Sequence, residues 1–237
     1  MEYRFDEFGS TLFCRGPQLL GDSIMIDLVR HVKDSIIRAM NGQSKLSEKE
    51  FELPGMSGLT GRCFLNNVCS FPGANYLEIG LWKGSTFYSA LKGNSITAVG
   101  IDNWSQFNGP KKEFFDMLES YKGRSDVVVI DDDCFSVDVS KFHDKFNVYF
   151  YDGDHVREAQ EKAFTYFDST FDKKFVAIID DYKDRDVIEG TKSAFKKLNY
   201  ATLFQAEFHV PPDVEDAIGW WNGMGIFVLA KTNFPWE

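Results

Sequence analysis

The sequence predicts an α/β fold in which helices cover both faces of a mostly parallel sheet. After Pro72-Gly73, short apolar runs alternate with segments of helical periodicity, which is typical of βαβ units. The runs are apolar at nearly every position, as expected of strands that are buried on both faces. These two observations together favour a doubly covered parallel sheet.

The segments before this alternation are mostly helical. Residues 1–20 show no clear period, and we expect an irregular lead-in there. Apolar residues recur every three or four positions over Asp22–Met40, which predicts an amphipathic helix. Pro54–Gly61 is rich in Gly and Pro and is predicted to be a loop, and a short helix is expected around Cys63–Ser70.

The apolar runs also give the order of the strands. Helical segments separate most of them, and a long loop, Val210–Gly223, joins the last two. The predicted strands are Tyr76–Leu81, Ile96–Ile101, Val127–Ile130, Val148–Tyr151, Phe175–Ile179, Ala201–Phe208 and Gly225–Ala230. A chain of 237 residues has room for one large core but not for two full domains. We therefore assign residues 1–53 to an N-terminal helical extension and 54–237 to the main domain.

Composition narrows the classes of partner. The formal net charge of -10 argues against a nucleic-acid substrate, because gripping phosphates requires a basic surface. No apolar run approaches the roughly 18 residues of a membrane helix, and the charged N-terminus does not look like an export signal. The four cysteines match no zinc pattern. We expect a cytoplasmic protein with reduced thiols, acting on a small molecule, with its oligomeric state open and a homo-oligomer included.

Acidic residues follow the predicted strands with unusual regularity. Ligands of open parallel sheets bind outside the carboxyl ends of the strands, so these positions are candidates for the site. The alternative is that these carboxylates are solvated loop residues that bind no ligand. The residues in question are Glu78, Asp102, Asp131 to Asp133, Asp152, Asp154, Asp180 and Asp181.

The first strand ends in a turn that suits a bound ligand. Gly80 and Gly84 let the backbone turn tightly and approach a ligand, and Ser85 and Thr86 would open the next helix. Glu78 would accept hydrogen bonds from ligand donors such as a ribose hydroxyl or an ammonium group, unless it pairs with a nearby lysine. The pattern is not G-x-G-x-x-G, which counts against a nicotinamide dinucleotide.

A second constellation follows the fourth and fifth strands. If these strands are neighbours, the carboxylates of Asp152, Asp154, Asp180 and Asp181 share one small site. Two like charges 4 Å apart repel by roughly 4 kcal/mol at an effective dielectric of 20, and a divalent cation such as Mg²⁺ removes the problem. Such an ion lowers the pKa of a bound hydroxyl, and Asp154 or His155 would accept the proton. The alternative is that Asp154, His155 and Asp180 simply cap helices.

These three motifs, in this order and spacing, resemble those of the class I S-adenosylmethionine (SAM)-dependent methyltransferases. The similarity is greatest to the bacterial group related to macrocin and other sugar O-methyltransferases. It rests on Glu78-Ile-Gly-x-x-x-Gly84-Ser-Thr86, Asp152-Gly-Asp-His155 and Asp180-Asp-Tyr182, and it extends over about residues 54–231. The resemblance implies a Rossmann-like seven-stranded sheet whose last strand runs antiparallel.

The resemblance also implies roles for individual residues. The methionine and ribose part of SAM would lie on Glu78, Gly80 and Gly84, with Ser85, Thr86 and Asp152 nearby. Asp102 would bind the ribose hydroxyls, and Asp133, Cys134 and Phe135 would flank the adenine. Asp152, Asp180 and Asp181 match the metal ligands of the metal-dependent members, and Asp154 matches a general base.

The function that follows is O-methylation of a small molecule, such as a sugar, with the help of a divalent cation. Two alternatives keep the fold: a related enzyme with a different reaction such as hydroxylation, and an inactive nucleoside-binding scaffold. We expect the acceptor to be held by the segments 22–40, 54–61 and 210–223. Trp220 and Trp221 would stack on the acceptor or pack against the N-terminal helix, and the sequence does not decide between the two.

Overall fold

The computed structural model describes residues 2–5, 10–13, 23–142, 145–211 and 216–232, with side chains from Leu28 onward. In this part of the chain, one sheet of nine strands forms the centre of the molecule. The strands are β1 (Glu2–Phe5), β2 (Ser10–Phe13), β3 (Asn75–Ile79), β4 (Thr97–Asp102), β5 (Asp126–Asp131), β6 (Phe146–Tyr151), β7 (Phe171–Asp180), β8 (Tyr200–Phe208) and β9 (Met224–Lys231).

Strands β3 to β9 form the predicted seven-stranded sheet. Their spatial order is β8-β9-β7-β6-β3-β4-β5. Strands β3 to β7 pair in parallel, and β9 is antiparallel to both β7 and β8. The chain proceeds outward from β3 to β5 and then returns to the other side of β3 with β6. Strand order therefore reverses beside β3, where this fold class places its ligands.

The expectation of an irregular lead-in over residues 1–20 is wrong for two segments. Strands β1 and β2 pair with each other antiparallel, and Thr11 of β2 pairs with Glu207 at the edge of β8. Strands of four residues are too short to show a reliable period in the sequence. Their pairing depends on the free edge of β8, which is remote in the sequence.

Helices cover both faces of the sheet, as predicted. They are α1 (Ser23–Met40), α2 (Glu48–Phe51), α3 (Leu59–Val68), α4 (Ser85–Leu91), α5 (Lys111–Tyr121), α6 (Arg157–Thr165) and α7 (Arg185–Lys197). One core lies under α1, α3, α4 and α5, and the other lies under α6 and α7. Tyr76 of β3 belongs to the first core and Leu77 to the second, because successive strand residues point to opposite faces. No helix among the described residues is both long and apolar enough to pass through a bilayer.

Helix α3 begins earlier than the sequence indicates. It starts at Leu59, within the segment predicted to be a loop, and not near Cys63. The amides of Leu59, Thr60 and Gly61 donate to the carbonyls of residues 217, 218 and 219 at 3.0, 2.9 and 3.3 Å. A distant loop thus satisfies the free N–H groups at the start of the helix, so no local capping residue marks it. These bonds also join two of the loops expected to hold the acceptor.

Candidate functional site

A cavity of about 820 Å³ opens at the carboxyl ends of the parallel strands, beside the reversal of strand order. Its walls come from the segments that follow β3, β4, β5, β6 and β7, together with Met56, Trp221 and Asn222. A cavity of this size suits a cofactor and a small substrate.

The cavity is strongly acidic. Its lining includes nine aspartates and one histidine, and no Lys or Arg is among the described residues that line it. The aspartates are Asp102 after β4, Asp132 and Asp133 after β5, Asp152 and Asp154 after β6, and Asp180, Asp181, Asp184 and Asp186 after β7. Most of the strand-end carboxylates that the sequence singled out therefore lie in one place.

The turn after β3 requires glycine at two positions. Gly80 has φ +90°, and a Cβ there would stand 1.9 Å from the carbonyl oxygen of Asp152. Gly84 has φ +84°, and a Cβ there would stand 2.6 Å from the Tyr88 ring. Both the left-handed φ and the close contacts exclude a side chain. Gly80 lines the cavity, whereas Gly84 precedes α4 and packs against the core.

Asp102 holds this turn in place. One of its carboxylate oxygens accepts the backbone N–H groups of Leu81 and Trp82 at 2.7 and 2.8 Å, and the other accepts that of Trp104 at 2.6 Å. The side chain lines the cavity, as expected of a residue that binds a cofactor, but both of its oxygens already accept hydrogen bonds from backbone amides. Asp102 therefore connects the turn after β3 to the loop after β4.

Glu78 lies beneath the cavity and does not pair with a lysine. Its side chain is fully buried, and its two oxygens accept hydrogen bonds from the hydroxyls of Tyr76 and Thr86, each at 2.5 Å. Burial raises the pKa of Glu78 to about 8. Lys92, one of the candidate partners, instead pairs with Glu50 at 2.6 Å.

Glu78 should make stability depend on pH. Its folded pKa of about 8 exceeds the ordinary 4.5, so the folded protein retains a proton that the unfolded chain releases. The free energy of unfolding should therefore fall as pH rises from about 4.5 to 8, by up to ~1.4 kcal/mol per pH unit. Glu78→Gln should flatten this slope in denaturant titrations between pH 5 and 9. Glu119→Gln, on an exposed side chain, should leave the slope unchanged; an unchanged slope in Glu78→Gln would contradict the assignment.

Ser85 and Thr86 open helix α4, as the sequence predicts, but their hydroxyls face inward. Ser85 Oγ lies 2.9 Å from Ser57 Oγ, and the Thr86 hydroxyl donates to Glu78. Arg62, itself buried, donates from Nε to Ser57 Oγ at 2.9 Å. These contacts fasten the loop before α3 to the start of α4.

The segment Asp133–Phe135, for which the resemblance implies contacts with adenine, lines the cavity after β5. Asp133 accepts the amide of Phe135 at 2.8 Å and so shapes a short 3-10 turn. The Phe135 ring meets Tyr166 edge-on at 5.7 Å between centroids. Burial raises the pKa of the Cys134 thiol to about 12, which makes it an unreactive apolar wall.

Asp152 and Asp180 form a carboxyl pair at the ends of β6 and β7. Their side chains share a hydrogen bond. Burial, followed by the neighbouring carboxylates, raises the pKa of both well above the ordinary range. Since two carboxylates in contact cannot both stay ionised without a counter-charge, the pair requires a proton or a cation.

His155 completes this group. Its Nε2 lies 3.7 Å from Asp152 Oδ1, is buried, and has no hydrogen-bond partner among the described residues. One ligand atom from each of Asp152, His155 and Asp180 lies within 4.8 Å of the others. The family resemblance implies Asp181 as the third ligand, and this stays a prediction. The Asp181 carboxylate lies 3.3 Å from His155 Nδ1, a position that suits a residue orienting the imidazole. Two carboxylates and one imidazole fit a divalent cation.

Asp154 lies at the rim of the cavity. Its side chain is exposed, and Oδ1 accepts a hydrogen bond from the amide of Val156 at 3.1 Å, just before α6. Val156 is the N-cap residue of α6 and no side chain caps that helix, so the capping role considered for Asp154 or His155 is wrong. The N-cap of α7 is Asp184 and not Asp180, and its carboxylate accepts a hydrogen bond from the amide of Asp186 at 2.8 Å.

The adjacent tryptophans have different surroundings. Trp220 is buried and stacks on Phe208 with centroids 3.9 Å apart, and it also meets Phe64 of α3. Trp221 is half-buried and lines the cavity. The sequence could not separate a packing role from a ligand role, because the division depends on how the loop before β9 turns.

No protein-family model and no curated protein sequence matches the chain. Solved structures with a similar fold include a protein from Corynebacterium glutamicum, with 15% sequence identity, a TM-score of 0.52, and 91% of this chain and 100% of that one covered. An O-methyltransferase from Bacillus cereus in complex with SAH is 14% identical, with a TM-score of 0.51 and 90% and 93% covered. A cofactor-bound protein from MTB is 16% identical, with a TM-score of 0.50 and 91% and 94% covered. The chain therefore has the fold of the class I SAM-dependent methyltransferases. Its narrower resemblance to the sugar O-methyltransferases stays a prediction.

Proposed function

We propose that this protein is a SAM-dependent methyltransferase that methylates a hydroxyl group of a small molecule. One observation carries the proposal. A single cavity has the glycine turn of β3 in one wall and the group Asp152, His155 and Asp180 in another. The fold supports it, since an O-methyltransferase with the same fold binds SAH, the demethylated product of SAM.

The cofactor half of the cavity is the part next to β3, β4 and β5. There Gly80 lets a ligand approach the backbone, Asp102 fixes the turn, and Cys134 and Phe135 give the adenine an apolar wall. The acidic lining suits a cofactor that carries a sulfonium and an ammonium group. Bound SAM supplies the methyl group.

The acceptor half is the part next to β6 and β7. Asp152, His155 and Asp180 would hold a divalent cation such as Mg²⁺, and Asp181 would orient His155. Such an ion lowers the pKa of a bound hydroxyl. Asp154 is the residue that we assign as proton acceptor, because its carboxylate is exposed, lines the cavity and accepts only one hydrogen bond from the backbone. His155, the other candidate base, is assigned to the cation.

Transfer of a labelled methyl group from SAM to small-molecule extracts tests the proposed reaction. The wild-type protein should label at least one extract component. Asp154→Asn should lower kcat by about 10²–10⁴ while leaving SAM affinity unchanged, as expected of a general base. Binding of SAM without transfer to any component would favour the scaffold alternative, and a changed but unlabelled product would favour a different reaction such as hydroxylation.

A further inference from the structure

Trp221 borders the part of the cavity that we assign to the acceptor. It is in the loop that precedes β9, and β9 is the neighbour of β7, the strand that ends in Asp180. Trp221 and Met56 both line the main cavity, and both also line a small adjoining space that Asp152 and Asp180 border. Trp221 therefore borders the same small space as the carboxyl pair.

The Trp221 ring differs from the other described tryptophans in having no aromatic partner. Trp82 meets Phe107, Trp104 meets Phe114, and Trp220 stacks on Phe208. No such ring contact involves Trp221 within the part of the chain that the structure describes. Its amide donates to the carbonyl of Asp216 at 3.1 Å, and its φ is +56°, a left-handed conformation that is uncommon for a bulky residue. The loop thus holds a half-buried indole against the cavity.

The charged side chains of this cavity are mainly acidic. Asp154, Asp181, Asp184 and Asp186 line the same cavity as Trp221, in addition to the carboxyl pair. The cations next to these aspartates in the sequence are Lys183 and Arg185. The ammonium group of Lys183 donates to the side-chain oxygen of Asn222 at 2.9 Å, Arg185 Nε donates to Glu189 at 2.7 Å, and neither residue lines the cavity. Apart from His155, which we assign to the cation, no described residue that lines the cavity has a basic side chain, so an anionic group on the acceptor would meet mostly like charge there.

We propose that Trp221 is the stacking platform of the acceptor subsite and that this subsite selects ring-bearing hydroxyl compounds with a positive charge over those with a negative one. The inference rests on the proposed function and names the class of its acceptor. A flat ring face stacks on the indole, a cation above an indole gains further attraction, and the acidic rim repels anions. Aromatic rings and sugars share this chemistry.

Two matched series of probes distinguish an aromatic acceptor from a sugar acceptor. Dopamine, catechol and 3,4-dihydroxybenzoate carry the same ring and hydroxyls with positive, neutral and negative charge. Glucosamine, glucose and glucuronate give the same order of charge on one sugar ring, with an ammonium group in place of the 2-hydroxyl and a carboxylate in place of the 6-hydroxymethyl group. Calorimetry on the wild-type protein saturated with SAH should show the cationic probe binding about tenfold more tightly than the anionic one in the preferred series. The series that binds identifies the kind of ring.

Variants of the same loop give the controls. Trp221→Phe should retain probe binding, whereas Trp221→Ala should lose about tenfold. Trp221→Gly removes the ring and also suits the left-handed φ, so it keeps the test valid if the alanine variant folds poorly. Ile218→Ala removes an exposed apolar side chain three residues away that lines neither cavity, and it should change nothing. Asp186→Asn should reduce the ratio between the affinities of the cationic and the anionic probe.

The outcomes are distinguishable from failure of the proposed function. SAH binding to the wild-type protein is measured first, and its absence counts against the function itself. If SAH binds, three results would each overturn the inference: no binding by any of the six probes, equal or tighter binding of the anions, or unchanged binding in Trp221→Gly.

Discussion

Gly80→Ala is expected to lower the affinity for SAM and SAH by more than about a hundredfold. A Cβ at this position would stand 1.9 Å from the carbonyl oxygen of Asp152, which is backbone and cannot rotate away, and the φ of +90° is itself unfavourable for alanine. The turn after β3 must then move away from the segment after β6, and this displaces the backbone that we expect to contact the cofactor. A shift of about 1 Å in a positioning element is enough for an effect of this size.

The control for this variant is Gly73→Ala. Gly73 has φ +81°, close to that of Gly80, but a Cβ there would meet nothing within 4 Å. Both variants therefore carry the same backbone strain, and only one carries the clash. Calorimetric titration with SAH should show nearly wild-type affinity in Gly73→Ala. Equal loss in the two variants would show that strain alone accounts for the effect, and wild-type affinity in Gly80→Ala would place the cofactor elsewhere.

Asp180→Asn is expected to stabilise the metal-free protein and to abolish its response to divalent cations. In metal-free buffer, the asparagine amide can still donate to Asp152 while one buried acidic group disappears, so the free energy of unfolding should rise by about 1–2 kcal/mol. Wild-type protein should gain stability on addition of Mg²⁺ or Mn²⁺, because the ion binds the folded state. In the variant this gain should vanish, and methyl transfer should fall by about a thousandfold.

Thermal unfolding with and without Mn²⁺ measures both effects. Asp116→Asn, which removes an exposed carboxylate on α5, should keep the wild-type response. If no divalent cation stabilises the wild-type protein, the proposed metal site is wrong, and Asp152 and Asp180 are a pair of carboxyl groups that share one proton. An Asp180→Asn variant that is less stable without metal would show that the pair holds the fold together rather than a ligand.

Much of the fold was predictable because the buried strands are distinctive. Runs such as Val148–Tyr151 are apolar on both faces, which is typical of strands in a sheet between two layers of helices. The antiparallel last strand came from the family resemblance, and the structure confirms it. Strands β1 and β2 and the start of α3 were missed, since their partners, the edge of β8 and the carbonyls of residues 217–219, are distant in sequence.

The site was predictable as a location but not as a set of contacts. Topology alone brings residues at the ends of β6 and β7 together, so Asp152 and Asp180 could be paired from the sequence. The position of His155 beside that pair, with Asp181 against its Nδ1, could not be predicted, because it follows from how the backbone turns at Asp181, where φ is +51°. The same applies to Asp102, whose hydrogen bonds to three backbone amides follow from the shape of the turn.

The most direct test of the account is the electron density of a crystal grown with SAH and Mn²⁺. We expect SAH along the turn between Gly80 and Gly84, its adenine beside Cys134 and Phe135, and one Mn²⁺ on the side chains of Asp152, His155 and Asp180. A nucleoside bound outside this cavity, or a cavity without density at saturating SAH, would contradict the central claim.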